Sequence, residues 1–248
     1  MRHLDVLYAE WTLSTRLQIL KMKCILNRDI PSCVSEYFKS KNFKIIYTNL
    51  NGAVSDSVGL HPDIQCAVIK NKFITSKKHY EYYKSFIDNI TVSEKELSSP
   101  YPFDVLFNCF ILGDTVYGNE KYLDNSVKKI IFENNLKICN VNQGYTNCST
   151  LKITDNAVIT SDEGMKKAFL KNNIDVLFTD NKTIKLKGHK NGFIGGAACH
   201  INNEVIFFGD ITAHPDFIKI SEFLKKYNVN YKTFSFPLED FGSALFLE

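Results

Sequence analysis

Several patterns that would assign the chain to a familiar class of protein are missing from its 248 residues. No run of about 18 apolar residues is present, so the sequence predicts no membrane-spanning helix. The seven cysteines are odd in number and include no C-x-x-C pair, which argues against a disulfide framework and against a zinc knuckle. Because free thiols are typical of a reducing compartment, we expect a cytoplasmic protein.

A strong excess of charge is missing as well. The chain has 30 Lys and Arg against 27 Asp and Glu, a net charge of +3. This balance predicts neither a nucleic-acid partner nor a membrane partner and leaves a small molecule as the expected one. The first residues include Asp5 and Glu10 and do not read as a signal peptide. We predict a single domain over residues 21–248, preceded by an N-terminal extension of residues 1–20.

A dinucleotide fingerprint is the last notable absence. Residues 192–200 are rich in glycine and small side chains, but no G-x-G-x-x-G opens a helix after a strand. We therefore expect no cofactor. The small residues are more typical of a place where the backbone approaches a ligand or a neighbouring strand closely.

What the sequence does contain is a hairpin pattern that recurs four times. The predicted turns are Asn71-Lys72, Gly113-Asp114, Asp155-Asn156 and Asn202-Asn203. Their first residues are 42, 42 and 47 positions apart. Each turn is followed by an apolar run, a polar stretch of helical periodicity and a further strand. A supersecondary unit of this length cannot bury its own apolar face, so several copies must pack together.

The two ends of the chain complete one another. Near the start, a strand at residues 23–26, a helix beginning at Pro31-Ser32 and a strand at residues 43–47 lack a leading strand. Residues 240–246 predict a strand with no helix after it. Pairing the two ends makes a fifth unit and removes open sheet edges. We predict an α/β fold, a five-fold pseudosymmetric α/β propeller of five ββαβ units closed by the termini. The alternative is an open α+β sheet with coincidental spacing.

The tripeptide His-Pro-Asp occurs twice, at residues 61–63 and 214–216. Proline fixes its own φ and biases the preceding residue away from helix, so each imidazole is held in a defined direction, as an acid/base group requires. For the second copy, a helix start with Pro215 in the first turn is an equally good interpretation. No helix is predicted after the first copy, so there we favour a functional role.

Polar residues precede the leading strands of several units, where a closed ring directs strand ends towards its axis. Cys148 ends one such segment and is the thiol best placed to meet His61 or Asp63. A thiol needs a nearby base or cation to become a nucleophile; the alternative is that Cys148 is a small buried hydrophobe. The candidate catalytic residues are thus Cys148, His61 and His214. The candidate substrate-binding residues are Asp63, Asp104, Asn108, Gln143, Asp240 and Ser243.

Six segments together carry a resemblance to a known family. They are LHPDIQ (60–65), NQGYTNCS (142–149), NAVITSDEG (156–164), GFIGGA (192–197), FGDITAHPD (208–216) and DFGS (240–243). The chain resembles an uncharacterised bacterial family with the pentein, or guanidino-group-modifying-enzyme (GME), fold. That resemblance implies five ββαβ units and a central polar site. Catalytic penteins carry a nucleophilic cysteine after a glycine in the final leading strand, whereas this chain has Gly242-Ser243 there.

Two functional hypotheses follow. The first is an enzyme, a cysteine-dependent hydrolase or transferase acting on a small guanidino or amide compound in the central cavity. In it, Cys148 attacks as a thiolate, His61 or His214 is the acid/base, and Asp63, Asp104 and Asp240 pair with a cationic group. The second is a non-catalytic binding module for a metabolite or a macromolecular partner, motivated by Ser243. We expect no metal; a site built from His61, Asp63, His214 and Asp216 is a weaker third hypothesis, because its spacing is no recognised metal signature.

Overall fold

The computed structural model describes residues 22–50 and 52–248, and the predicted N-terminal extension lies outside them. The described strands form five separate sheets of three strands each. None of the described helices is long and apolar enough to cross a bilayer. The predicted α/β class is confirmed.

Each sheet repeats one order of leading, middle and closing strand. The leading strands are β3 (Cys66–Ile69), β6 (Phe110–Leu112), β9 (Thr150–Thr154), β12 (Ala198–Ile201) and β15 (Leu245–Leu247). The middle strands are β4 (Lys72–Ser76), β7 (Thr115–Gly118), β10 (Ala157–Thr160), β13 (Glu204–Phe207) and β1 (Lys23–Leu26). The closing strands are β5 (Ile90–Ser93), β8 (Lys137–Asn140), β11 (Asp175–Phe178), β14 (Asn230–Lys232) and β2 (Lys44–Tyr47).

The connections follow from strand direction. A two-residue turn joins the leading and middle strands of four units antiparallel, whereas the parallel closing strand needs a crossover, which a helix supplies. The crossover helices are α1 (Ser32–Ser40), α3 (Lys77–Tyr83), α4 (Asn125–Glu133), α5 (Glu163–Lys171) and α6 (Phe217–Lys226). One further helix, α2 (Pro62–Gln65), precedes β3, and a 3₁₀ turn (Ile211–Ala213) precedes α6.

The fifth unit is closed by the two ends of the described chain. Strand β15 pairs antiparallel with β1, with Lys23 opposite Leu247, and β1 pairs parallel with β2. The predicted five ββαβ units are therefore confirmed. The last strand is shorter than predicted, because Gly242 and Ser243 have φ values of +76° and +64° and interrupt extended backbone at residues 240–244.

Local details differ from the sequence prediction in two other places. The first turn lies at Lys70-Asn71 and not at Asn71-Lys72, and both of its residues have positive φ, as a type I′ hairpin turn requires. The N-cap of α5 is Asp162 and not Ser161, since the Asp162 side chain accepts a hydrogen bond from the backbone N–H of Met165. The remaining three turns lie where the sequence places them.

Neighbouring units bury one another's apolar faces. One hydrophobic cluster combines Ile159 of β10 with Phe207 of β13 and Leu224 of α6, which belong to adjacent units. The helices are amphipathic; in α4, Val127, Ile130 and Ile131 are the buried side chains. Residues from all five leading strands line one cavity of about 150 Å³, so these strands surround a common axis. The segments that precede them meet at one end of that axis.

Candidate active site

The segments before the leading strands bring five of the sequence-predicted site residues into one buried cluster. His61 is the N-cap residue of α2 and Asp63 lies in its first turn, because Pro62 is well suited to the first helical position. The prediction that no helix follows His61 is therefore wrong. The cluster is completed from three other units by Asn108, Cys148 and Asp240, and every one of the five is at most 3% exposed.

At the centre of the cluster are an imidazole, a carboxylate and a thiol. The Cys148 Sγ–H donates to Asp63 Oδ2 over 2.8 Å. Ligand-type atoms of His61, Asp63 and Cys148 all lie within 4.8 Å of one another. His61 Nδ1 and Asp63 Oδ1 are buried and accept or donate no hydrogen bond in the described part of the chain. Such atoms are uncommon in folded proteins and mark a place where a ligand can supply the partner.

Two asparagines hold the thiol and the carboxylate in place. Asn108 Nδ2 lies 3.2 Å from the Asp63 carbonyl oxygen and 3.5 Å from Cys148 Sγ, and donates towards both. Asn147 Nδ2 donates to Asp63 Oδ2 over 3.0 Å. The two amides are themselves linked, since Asn108 Oδ1 accepts from the Asn147 backbone N–H over 2.8 Å. The side-chain positions at the centre are therefore fixed from two units at once.

Asp240 reaches the cluster from the closing segment. Its Oδ1 lies 3.8 Å from His61 Nδ1, and its two oxygens accept from the backbone N–H groups of Phe193 and Gly242. The close approach needs glycine: a Cβ atom on Gly196 would clash with the Asp240 carboxylate. The glycine-rich segment thus serves a neighbouring segment of the chain, which is one of the two roles that the sequence suggests for it.

A cavity of about 210 Å³ opens beside the cluster. The polar part of its wall consists of His61, Cys148, His189, Asn191 and Asp240. Tyr145 and Phe193, whose ring centroids are 6.3 Å apart, contribute an aromatic part. A cavity of this size accommodates a small molecule.

Burial controls the ionisation of all four central groups. Loss of hydration lowers the pKa of His61 to about 4, against the attraction of Asp63, and raises the pKa of Asp63 to about 6. It also raises the pKa of Asp240 to about 7. Burial first, and then the nearby Asp63 and Asp240 carboxylates, raise the pKa of Cys148 well above its usual range. Burial therefore favours the thiol form of Cys148, the neutral imidazole of His61 and the protonated forms of Asp63 and Asp240.

Four sequence-predicted residues lie outside this cluster. His214 lies in a different cavity, with Nε2 2.8 Å from the Asp180 carbonyl oxygen and Nδ1 accepting from the Asp216 N–H. Gln143 donates to Asp162 at the start of α5. Asp104 accepts a hydrogen bond over 2.6 Å from the hydroxyl of Tyr145, which lines the cavity. Ser243 donates to the Ala198 carbonyl oxygen and lines the axial cavity, which Asp63 also lines.

The sequence does not predict six residues of the cavity wall: Val58, Tyr145, Leu186, His189, Asn191 and Phe193. Tyr145 and Phe193 lie in two segments that the sequence marks as unusual, 142–148 and 192–200. Those segments stand out for their polar and small residues and not for these two aromatic side chains. His189 lies in an irregular stretch between two glycines, Gly188 and Gly192, which is the only signal the sequence offers for it.

Five ββαβ units closed by the chain ends are the architecture of the guanidino-group-modifying enzymes, and comparison with solved structures supports that fold. The chain is similar to a dimethylarginine dimethylaminohydrolase bound to S-methyl-L-thiocitrulline, with a TM-score of 0.54, 10% identity and coverage of 86% of this chain and 92% of the other. A cysteine-to-serine mutant of the Pseudomonas aeruginosa enzyme, complexed with citrulline, gives a TM-score of 0.55 at 8% identity over 87% and 91%.

An amidinotransferase of the saxitoxin biosynthetic pathway from Microseira wollei is also similar, with a TM-score of 0.53, 10% identity and coverage of 86% and 88%. At these identities the similarity establishes the fold alone. By sequence, the chain belongs to DUF6873, a family of unknown function, which it matches over residues 25–245. Comparison with curated proteins finds no match.

Proposed function

We propose that the protein is a cysteine-dependent hydrolase or transferase that acts on a small cationic compound, of the guanidino or amidine type, in the 210 Å³ cavity. The observation that carries the proposal is the buried cluster of Cys148, His61 and Asp63, in which Cys148 and His61 line that cavity and Asp63 accepts a hydrogen bond from the Cys148 thiol. A nucleophile, a proton carrier and a carboxylate are the groups that acyl- or amidino-transfer chemistry requires.

The charge of the site supports a cationic ligand. Asp63 and Asp240 are 2% and 3% exposed, and in the described part of the chain no lysine or arginine forms an ion pair with either. Burying carboxylates without a cation is unfavourable, which is why both pKa values are raised. A planar cation in the cavity would favour the ionised form of both carboxylates and would gain a charge-assisted hydrogen bond with Asp240, the carboxylate that lines it.

The same cation would activate the thiol. The nearby carboxylates contribute to the raised pKa of Cys148, so a positive charge in the cavity opposes that effect and favours transfer of the thiol proton to Asp63 or His61. The thiolate then attacks the amidino carbon, and the leaving amine takes up the transferred proton. Attack by water on the resulting thioester-like adduct regenerates the thiol; attack by a second amine would make the enzyme a transferase.

The fold is consistent with this assignment, since similar structures include a dimethylarginine dimethylaminohydrolase and an amidinotransferase. In the family that the sequence resembles, the nucleophile is a cysteine of the final leading strand. Here that place is taken by Ser243, whose hydroxyl donates to the Ala198 carbonyl oxygen. We therefore assign the nucleophile to Cys148, which comes from a different unit.

The test uses two alkylating reagents of nearly equal shape, chloroacetamidine, which is a cation, and chloroacetamide, which is neutral. The exposed Cys33 in the same chain serves as the internal reference. We expect the rate ratio of cationic to neutral reagent, read by peptide mass spectrometry, to be at least ten-fold higher at Cys148 than at Cys33. Equal ratios at the two cysteines would overturn the proposal.

A second candidate function, a non-catalytic binding module, is favoured by one observation: the Cys148 thiol is held as a hydrogen-bond donor to Asp63, with a raised pKa. The same experiment separates the two functions. In a binding module, amidinium ions such as acetamidinium raise the melting temperature of the protein, but Cys148 gains no reactivity towards the cationic reagent. In the enzyme, both effects occur.

A further inference from the structure

We propose that His61, Asp63 and Cys148 form a binding site for a thiophilic divalent cation, and that Zn²⁺ is the ion this donor set fits. The inference goes beyond the catalytic proposal and does not depend on it. It differs from the site that the sequence suggests, because Cys148 takes the place of the second His-Pro-Asp copy, which lies elsewhere.

The three donors are already close to a coordination geometry. One donor atom from each side chain lies within 4.8 Å of the other two, and Cys148 Sγ is 2.8 Å from Asp63 Oδ2. Tetrahedral zinc holds sulfur at about 2.3 Å and nitrogen or oxygen at about 2.0 Å, which places ligand atoms roughly 3.3–3.8 Å apart. Side-chain movements of about 1 Å would therefore complete the arrangement. A mixture of sulfur, nitrogen and oxygen donors suits zinc better than magnesium or calcium.

Two of the donors have an atom without a partner. His61 Nδ1 and Asp63 Oδ1 are buried and make no hydrogen bond within residues 22–50 and 52–248, and the two side chains are 3% and 2% exposed. A buried polar atom in this condition costs folding free energy. A bound cation provides the missing partner for both, which is the second, independent indication of a ligand at this place.

The surroundings resemble those that orient metal ligands. Asn147 Nδ2 donates to Asp63 Oδ2, and Asn108 Nδ2 approaches Cys148 Sγ at 3.5 Å, where it would stabilise a thiolate. Outer groups of this kind fix ligand orientation and raise metal affinity. Gly242 packs so tightly on His61 that a Cβ atom there would clash with it, so the imidazole is also held from the closing segment.

The site leaves one coordination position open. His61 and Cys148 both line the 210 Å³ cavity, so the fourth tetrahedral position faces it. Binding follows the balance M²⁺ + Cys–SH → M²⁺–⁻S–Cys + H⁺, so one proton is released for each ion bound. Because the metal would occupy the sulfur that the catalytic proposal uses as nucleophile, metal binding and alkylation of Cys148 exclude one another.

Cobalt titration of the chelator-treated, metal-free protein tests the site, because a cobalt–thiolate bond gives a charge-transfer absorption in the near ultraviolet. We expect this band at one Co²⁺ per chain, its bleaching by one equivalent of Zn²⁺, and calorimetric release of about one proton per ion. Cys148→Ser should abolish the band, His61→Ala should weaken cobalt binding at least ten-fold, and Cys33→Ser should change neither. Circular dichroism of each variant verifies that the fold is retained.

Absence of the band in the wild-type protein, or its persistence in Cys148→Ser, would overturn the metal proposal. The alkylation experiment on metal-free protein is read separately. Preserved cation-selective alkylation without a cobalt band removes only the metal site, and a cobalt band without selective alkylation removes only the catalytic function.

Discussion

The two His-Pro-Asp copies, residues 61–63 and residues 214–216, share a sequence but differ in what surrounds their polar atoms. In the second copy, both ring nitrogens of His214 are engaged, by the Asp180 carbonyl oxygen and by the Asp216 N–H. The Asp216 carboxylate accepts from the Asp180 N–H over 2.9 Å and pairs with Lys219 at 2.7 Å. These contacts connect the start of α6 to the end of β11.

In the first copy, the polar atoms of the histidine and the aspartate lie near the axis, and one atom of each side chain makes no hydrogen bond. His61 Nδ1 and Asp63 Oδ1 have no hydrogen-bond partner in the described chain, although both residues are as buried as His214. The local rule, proline at or near a helix start, is the same in both. The copy at residues 214–216 therefore stabilises a helix junction. The copy at residues 61–63 leaves buried polar atoms without partners, which lowers stability but keeps these atoms available for a ligand.

The largest expected loss of stability comes from a substitution at Gly242, where the closing segment packs against His61. Gly242 has φ +76°, and a Cβ atom there would clash with His61, whereas Gly113 has φ +60° and open space around it. Gly113→Ala should therefore cost only the left-handed backbone strain, about 1–2 kcal/mol. Gly242→Ala should cost about 3–5 kcal/mol, because overpacking is added to that strain. Urea unfolding measures the free energy of unfolding of both variants. Equal losses would mean that the residues around His61 move aside for the added methyl group at little cost.

A buried histidine outside both copies gives stability a predictable dependence on pH. His79 in α3 is 2% exposed, and burial, followed by the charge of Lys78, lowers its pKa to about 4. Since the unfolded chain binds the proton near pH 6.5, stability is present above that pH and is lost as the pH falls towards 4. The free energy of unfolding of the wild type minus that of His79→Gln should fall by up to about 3 kcal/mol between pH 7 and pH 4. A pH-independent difference would contradict this.

The fold was largely predictable from local signals. Two-residue turns with asparagine or glycine, and strands of β-branched residues, are encoded within a few positions, so the five units and their closure follow from the repeat spacing. Single-turn and very short elements carry too few residues for periodicity, so α2 (Pro62–Gln65) was not predicted, and the closing strand of its unit, β5 (Ile90–Ser93), was expected without an assigned position.

The centre of the candidate site was predictable for the same reason. His61 and Asp63 share the leading segment of one unit, Cys148 and Asp240 occupy those of two others, and closure brings such segments together. His214 does not occupy an equivalent position, and the structure places it elsewhere. The aromatic wall was not predictable, because the directions of Tyr145 and Phe193 depend on irregular backbone that no repeat rule describes.

The two histidines can be compared directly by replacing each with leucine. His214→Leu leaves the Asp180 carbonyl oxygen and the Asp216 N–H without their side-chain partner, and should cost about 2–3 kcal/mol. His61→Leu removes an unsatisfied buried nitrogen and should cost at most about 1 kcal/mol. Thermal or urea unfolding gives both values. A larger loss for His61→Leu would show that its ring is structural.

The smallest expected effect is a change in the reagent preference of Cys148 when a nearby carboxylate loses its charge. It distinguishes Asp63 of the first copy from Asp216 of the second. Asp63→Asn keeps the size of the side chain but removes a negative charge beside Cys148 Sγ, so the preference of this thiol for chloroacetamidine over chloroacetamide should fall about ten-fold, equivalent to about 1.4 kcal/mol. Asp216→Asn removes an equal charge from a residue that faces Lys219, and the preference should stay unchanged. Normalising each rate to Cys33 removes differences between preparations. If both variants lose the preference equally, the selectivity arises from the overall field of the protein and not from the first copy.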